Sequence, residues 1–87
     1  MQVLKLLNQE TNLTASSNVG SATLVRVFNN QNAVSALLVK DSSDTTILGS
    51  FTMKEYEVAY IQKTADQLLS ASVGGVNVKV TKIAFAN

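Results

Sequence analysis

The sequence predicts an all-β fold, a small antiparallel β-sandwich of about seven strands, with a small β-barrel as the alternative. Three observations lead there. Short runs of β-branched and apolar residues are separated by clusters of Asn, Ser, Asp and Gly, the pattern of strands joined by turns. The runs recur at intervals of roughly 8–12 residues, the spacing of sandwiches and barrels. The chain has 87 residues, no Cys and no Trp, so it holds one domain, 1–87, without the marks of an antibody domain.

Residues 3–7 form the first expected strand. Residues 8–20 are rich in Asn, Ser and Thr, with at most a short extended piece around Leu13, and are set apart as a candidate extended arm. Residues 22–29 read as a strand, and Asn29-Asn-Gln-Asn32 as a turn, since Asn tolerates left-handed backbone. Residues 33–40 form the next strand, Asp41-Ser-Ser-Asp44 a turn, and residues 45–53 another strand. There the period of two is cleanest. Ile47, Gly49, Phe51 and Met53 share one face, and Ile47 and Phe51 are expected in the core.

Lys54-Glu55 reads as a connection and residues 56–62 as a strand, with Tyr56, Val58 and Tyr60 on one face and Ala59 and Ile61 on the other. Residues 54–69 lack Gly and Pro and could carry a helix, but the β-branched and aromatic residues favour a strand. Thr64-Ala-Asp66 turns the chain into residues 67–72. Gly74-Gly75 is expected as a hairpin turn with positive φ. In residues 76–85 the apolar phase changes. Val76, Val78 and Val80 precede Ile83 and Phe85, so either a β-bulge near Thr81-Lys82 or a strand end near Thr81 is expected.

Composition excludes several chemistries. Without Cys or His there is no disulfide framework, no thiolate zinc site and no imidazole for a nucleophile system. Seven basic and six acidic side chains, net +1, are too balanced for a charge-driven nucleic-acid binder. The apolar stretch at residues 2–7 is too short for a signal peptide or a spanning helix. A protein soluble in the cytoplasm where it is made is expected, with no membrane partner.

Each remaining candidate has a plainer reading beside it. Asp41 and Asp44 could share a calcium ion, but read better as a solvated hairpin turn. Glu55 and Glu57, on one face of a strand, could form a two-carboxylate acid/base pair, but read better as a polar strand edge. Tyr56, Tyr60 and Phe28 with Arg26, Lys54 and Lys63 could stack single-stranded nucleic acid, but the charges are scattered. Gly74-Gly75 lacks the residues of a phosphate loop. Arg26, the only arginine, could meet a partner's carboxylate, or could lie outward with its stem over apolar surface. Asn12-Leu13-Thr14 matches a glycosylation triplet, a pattern common by chance. No catalytic residue, metal or cofactor is expected. Thirty of the 87 residues are Asn, Gln, Ser or Thr, which suits a protein whose function is its surface.

Three stretches carry a resemblance. They are Ala22-Thr-Leu-Val-Arg-Val-Phe-Asn-Asn30, then Tyr60-Ile-Gln-Lys63 with Ala65-Asp66, then Val78-Lys-Val-Thr-Lys-Ile-Ala-Phe-Ala-Asn87. In this order they resemble small virion proteins of tailed phages that infect marine bacteria, including cyanobacteria. The resemblance spans residues 22–87. It departs at Met53-Lys54-Glu55, where such proteins often carry Gly or Pro.

The resemblance implies a non-enzymatic structural protein of the virion, made in the host cytoplasm. The expected role is capsid decoration or cementing, with the major capsid protein or other virion proteins as partners and a homo-oligomer as a further candidate. The candidate contacts are Asn12 and Thr14 in the arm, Arg26, and Tyr56 and Tyr60 as aromatic anchors. The alternatives are a neck, tail or fibre-associated protein in few copies, or a small nucleic-acid-binding barrel, for which nucleic acid would be an unexpected partner.

Overall fold

The structure, a computed structural model, describes residues 3–86. Its strands are β1 (Val3–Leu6), β2 (Thr11–Asn12), β3 (Leu24–Asn29), β4 (Ser35–Lys40), β5 (Ile47–Met53), β6 (Val58–Gln62), β7 (Leu68–Ala71) and β8 (Val78–Ala86), with one 3₁₀ turn at Gly75–Asn77. They build two antiparallel sheets. The larger runs β1-β8-β3-β6, with β2 also on β8, and the smaller runs β5-β4-β7. The fold is the all-β sandwich that the strand pattern predicts. Among the described residues no helix is long and apolar enough to cross a membrane.

Alternation explains the core. In β3, Val25, Val27 and Asn29 are fully buried while Leu24, Arg26 and Phe28 are half-buried on the other face. Val25, Val27, Val78 and Val80 of the larger sheet cluster with Leu37, Met53 and Leu69 of the smaller one, and Leu13, Val19 and Ala22 complete the cluster. Each of the Val, Leu and Met side chains contributes about 1.5–3 kcal/mol when fully buried.

Most connections cross from one sheet to the other; β4–β5 is the hairpin, closed through Asp41 N–H to the Thr46 carbonyl. A crossing chain leaves its ladder, and its carbonyls need other donors. Buried polar side chains supply them. Asn29 Nδ2 donates to the carbonyls of Ala33 and Lys54, both at 2.9 Å, one in the β3–β4 connection and one in the β5–β6 connection. Its Oδ1 accepts from Gln31 Nε2 at 2.8 Å. Ser35 Oγ donates to the Val73 carbonyl at 2.8 Å. Lys63 Nζ reaches the carbonyls of Asn18 (2.9 Å), Ala22 (2.7 Å) and Thr64 (3.3 Å). Among the described residues no buried side-chain nitrogen or oxygen lacks a partner.

Lys63 also holds a strained loop. Val19, Gly20 and Ser21 all have left-handed backbone, φ 55°, 63° and 57°. Such a conformation costs on the order of 1–3 kcal/mol at a non-glycine residue. It is offset by the buried Val19 side chain, by Val19 N–H on Ser17 Oγ, and by the ammonium on the carbonyls at both ends of the loop. Burial holds the Lys63 pKa below its ordinary value, with Asp66 opposing.

Several expectations are corrected. Ile47 and Phe51 are not core residues: they are 56% and 38% exposed, Phe51 on the face where Met53 is buried, and Ile47 on the other face, because the register shift beside Leu48 sets it opposite Lys40. The strand lies at the sheet edge, and the opposite sheet does not cover it. Tyr56 is not in a strand. It has φ 59° in the turn before β6, where Lys54 N–H donates to Glu57 Oε1 at 2.7 Å and Glu57 N–H to the Lys54 carbonyl at 3.2 Å. Gly74-Gly75 is not a hairpin turn, because β7 and β8 belong to different sheets. Gly74 does take positive φ, 61°, at the start of the 3₁₀ turn.

The phase change in β8 is no bulge against β3, since that ladder runs in register from Val78 to Lys82. The irregularity lies in the N-terminal partner. Leu6 pairs with Ile83 and Thr11 with Val80, so five steps of the N-terminal segment span three of β8. Residues 8–20, the candidate arm, lie along the body. Leu13 and Val19 are buried, Leu13 N–H donates to the Val78 carbonyl at 2.7 Å, and Ser17 bridges to Leu69.

Candidate functional site

The outer face of the larger sheet gathers several of the expected contact residues. Residues opposite one another on an antiparallel ladder point to the same face. Thr81, Arg26 and Tyr60 therefore form one row, and Asn12, Lys79, Phe28 and Val58 the next. On the β1 side, Leu6 lies opposite Ile83 and Leu4 opposite Phe85. Ile83 is buried apart from the central cluster, on this outer face.

Tyr60 is 51% exposed and meets the Phe85 ring edge-on at 5.8 Å between centroids. The Arg26 guanidinium lies 5.7 Å from the centroid of the Phe28 ring, and Arg26 Nη1 is 3.4 Å from Glu10 Oε2. Both ends of that ion pair are partly exposed, so it contributes about 0–1 kcal/mol. Its main effect is to hold the extra residues between β1 and β2 against the sheet. Between them runs a groove of about 540 Å³, lined by Leu4, Leu6, Asn8, Gln9, Glu10, Arg26 and Thr81. The face sets apolar side chains beside the Arg26–Glu10 pair and the Lys79 ammonium on Asn12, with aromatic edges at one side.

Of the expected contacts, Asn12, Arg26 and Tyr60 share this face. Asn12 Oδ1 accepts from Lys79 Nζ at 2.9 Å. Thr14 lies exposed in the bend after β2, and Tyr56 exposed in the β5–β6 turn, neither on a strand of the face. Leu4 and Leu6 are not among the expected contacts; their alternation with Lys5 in β1 is the signal that points to them.

The other candidates resolve into local structure. The Asp41 carboxylate accepts from the Thr45 and Thr46 amides at 3.0 and 3.2 Å and from the Ser43 and Thr45 hydroxyls. Those amide donors, with the two hydroxyls, bring its pKa down to about 2. Asp44 takes left-handed backbone, φ 62°, and its Oδ1 meets Lys40 Nζ at 3.1 Å and Ser16 Oγ at 3.0 Å. These contacts hold its pKa below the usual carboxylate value, the Lys40 contact most. Both carboxylates are thus occupied by donors of the hairpin and its neighbours.

Glu55 and Glu57 flank a left-handed Tyr56 in a turn and are not paired on one strand face. Lys63, grouped with the stacking candidates, is buried on backbone carbonyls. Among the described residues there is no group of three or more acidic, His or Cys side chains placed to hold a metal ion. No family model matches the chain, no curated protein matches it, and no solved structure matches its fold.

Proposed function

We propose that the chain is a non-enzymatic structural protein of a virus particle, decorating or cementing the capsid through the outer face of its larger sheet. The resemblance of residues 22–87 to small phage virion proteins supplies the class. The observation that carries the location is the exposed apolar and aromatic face itself: Leu6 and Val58 at its two edge strands, and Tyr60 against Phe85. Exposed apolar patches of this kind mark interaction surfaces, and a short, rigid Tyr loses little entropy when it docks. Salt screens surface ion pairs beyond about 10 Å even at 0.1 M, so attachment in seawater rests on such packing.

Of the basic residues named for the nucleic-acid reading, Lys63 is buried, Arg26 is matched by Glu10, and Lys54 is exposed but lies in the β5–β6 connection, off the strands of this face.

The test is co-sedimentation of the purified chain with capsids assembled without it. The wild-type chain is expected to pellet with the shells. Tyr60→Asp is expected to bind at least about tenfold more weakly, as for a central aromatic anchor, with its thermal unfolding little changed. Wild-type protein that stays in the supernatant, or a Tyr60→Asp chain that binds like wild type, would overturn the assignment.

A further inference from the structure

Strand β5 pairs on one side only, with β4, and among the described residues no strand lies against its other edge. Such an edge presents a row of backbone donors and acceptors ready for another strand. Proteins commonly blunt their edges with Lys, Pro or a bulge. β5 reads Ile-Leu-Gly-Ser-Phe-Thr-Met, seven residues without a charge or a proline. The register shift in its ladder with β4 falls at its first residues, opposite Val39 and Lys40. The other edges differ. β1 has Lys5 within it, the outer edge of β7 is bridged by Ser17 to Leu69, and β6 is shorter, at five residues. Six of the seven β5 residues are exposed, and Ile47, Leu48 and Phe51 leave apolar surface bare on both faces.

The strand is complementary to itself. Antiparallel pairing about an axis at Ser50 is the register that sets Gly49 opposite Phe51, with five rungs from residue 48 to residue 52; Ile47 lies beyond the register shift, off the Met53 face. About Ser50, Gly49 falls opposite Phe51 twice, Leu48 opposite Thr52 twice, and Ser50 opposite itself. No like charges meet. A Cβ on Gly49 would meet nothing within 4 Å, so there is room for the Phe51 ring of a second copy over the bare Cα. An aromatic ring across from an edge glycine is a favourable cross-strand pair.

We propose that β5 pairs antiparallel with β5 of a second copy of the chain about a two-fold axis at Ser50. Two three-stranded sheets then become one six-stranded sheet, through an isologous contact. This inference is independent of the virion reading.

The native chain has no Cys, so one introduced thiol reports on one position. Ser50→Cys, mildly oxidised at high micromolar concentration, is expected to give a thiol-sensitive species of twice 9.3 kDa. Leu48→Cys and Thr52→Cys are each expected to stay uncrosslinked alone and to crosslink when mixed, because residue 48 faces residue 52 of the second copy. In sedimentation equilibrium the wild-type mass is expected to rise with concentration. Ser50→Lys, which sets two ammonium groups face to face, is expected to weaken association by about tenfold or more. A wild-type chain that stays monomeric at every concentration, or Leu48→Cys crosslinking alone as readily as Ser50→Cys, would overturn the pairing.

Discussion

Asn29→Asp is expected to lower stability by about 3–5 kcal/mol, since buried groups are left without partners and a carboxylate is placed among carbonyls. Asn29 is fully buried, and its Nδ2 is the donor for the Ala33 and Lys54 carbonyls at 2.9 Å. Asp keeps the shape and loses both donors. A domain of this size has a total stability on the order of 5–15 kcal/mol, and each kcal/mol moves its melting point by about 4–8 °C. The melting point should therefore fall by about 15 °C or more. The effect carries a pH signature. Burial raises the folded-state pKa of the new carboxyl above its unfolded value of about 3.9. Above that value the folded state binds the extra proton, so stability falls as pH rises through the folded pKa and recovers on acidification. Thermal melts at pH 4 and pH 7 measure this, and the deficit should shrink at pH 4. Asn30→Asp, at the exposed neighbouring position, should stay within about 0.5 kcal/mol of wild type.

Gly75→Ala is expected to cost about 3 kcal/mol, the upper range for forcing an extra carbon into a packed site. A Cβ there would overlap the Leu13 carbonyl oxygen, well inside the 3.0 Å that real Cβ atoms keep, and would also touch Ala71 Cβ at 3.8 Å. The carbonyl has little freedom to retreat, because the Leu13 side chain is buried and its N–H is bonded to the Val78 carbonyl at 2.7 Å. Here glycine is required by close approach and not by backbone angle. Gly49→Ala is the matched control. It meets nothing within 4 Å and should be neutral or slightly stabilising, since glycine in a strand costs about 0.5–1 kcal/mol against Ala. Denaturant midpoints of the two variants separate the cases, and equal midpoints would contradict the packing of the β7–β8 crossing on Leu13.

Both predictions concern crossings between the sheets, and these were the parts least legible in the sequence. The strands could be read because alternation and turn residues are local signals. Which strands share a sheet is a long-range property. Asn29 was read as a turn residue because Asn favours turns, although it continues the buried phase of Val25 and Val27. Gly74-Gly75 looked like a hairpin because nothing local says that β7 and β8 part company. The alternation of β5 tells correctly that Gly49 and Phe51 share a face with Met53, but the register shift beside Leu48 turns Ile47 to the other face. Alternation does not tell that the opposite sheet stops short of Phe51, nor that an irregular pairing with β4 would turn Ile47 outward.

The proposed docking face was legible in part for the same reason. Arg26 and Tyr60 each drew attention by residue type, and the β3–β6 register makes them neighbours. Tyr56 drew the same attention, but a left-handed turn takes it off the strand. The polar composition of residues 8–20 suggested an arm, and it concealed Leu13 and Val19, two apolar residues that complete the core. A deletion of residues 1–20 would therefore remove core and surface together, and point substitutions on the outer face separate the two.

The proposal that the chain is a virion component is tested most directly by quantitative mass spectrometry of virus particles purified from cells that express it. Copies in the hundreds per particle, in fixed ratio to the major capsid protein, are the result expected of a decoration or cementing role. A dozen or a few dozen copies would move the protein to the neck or tail, and its absence from the particle would contradict the virion assignment.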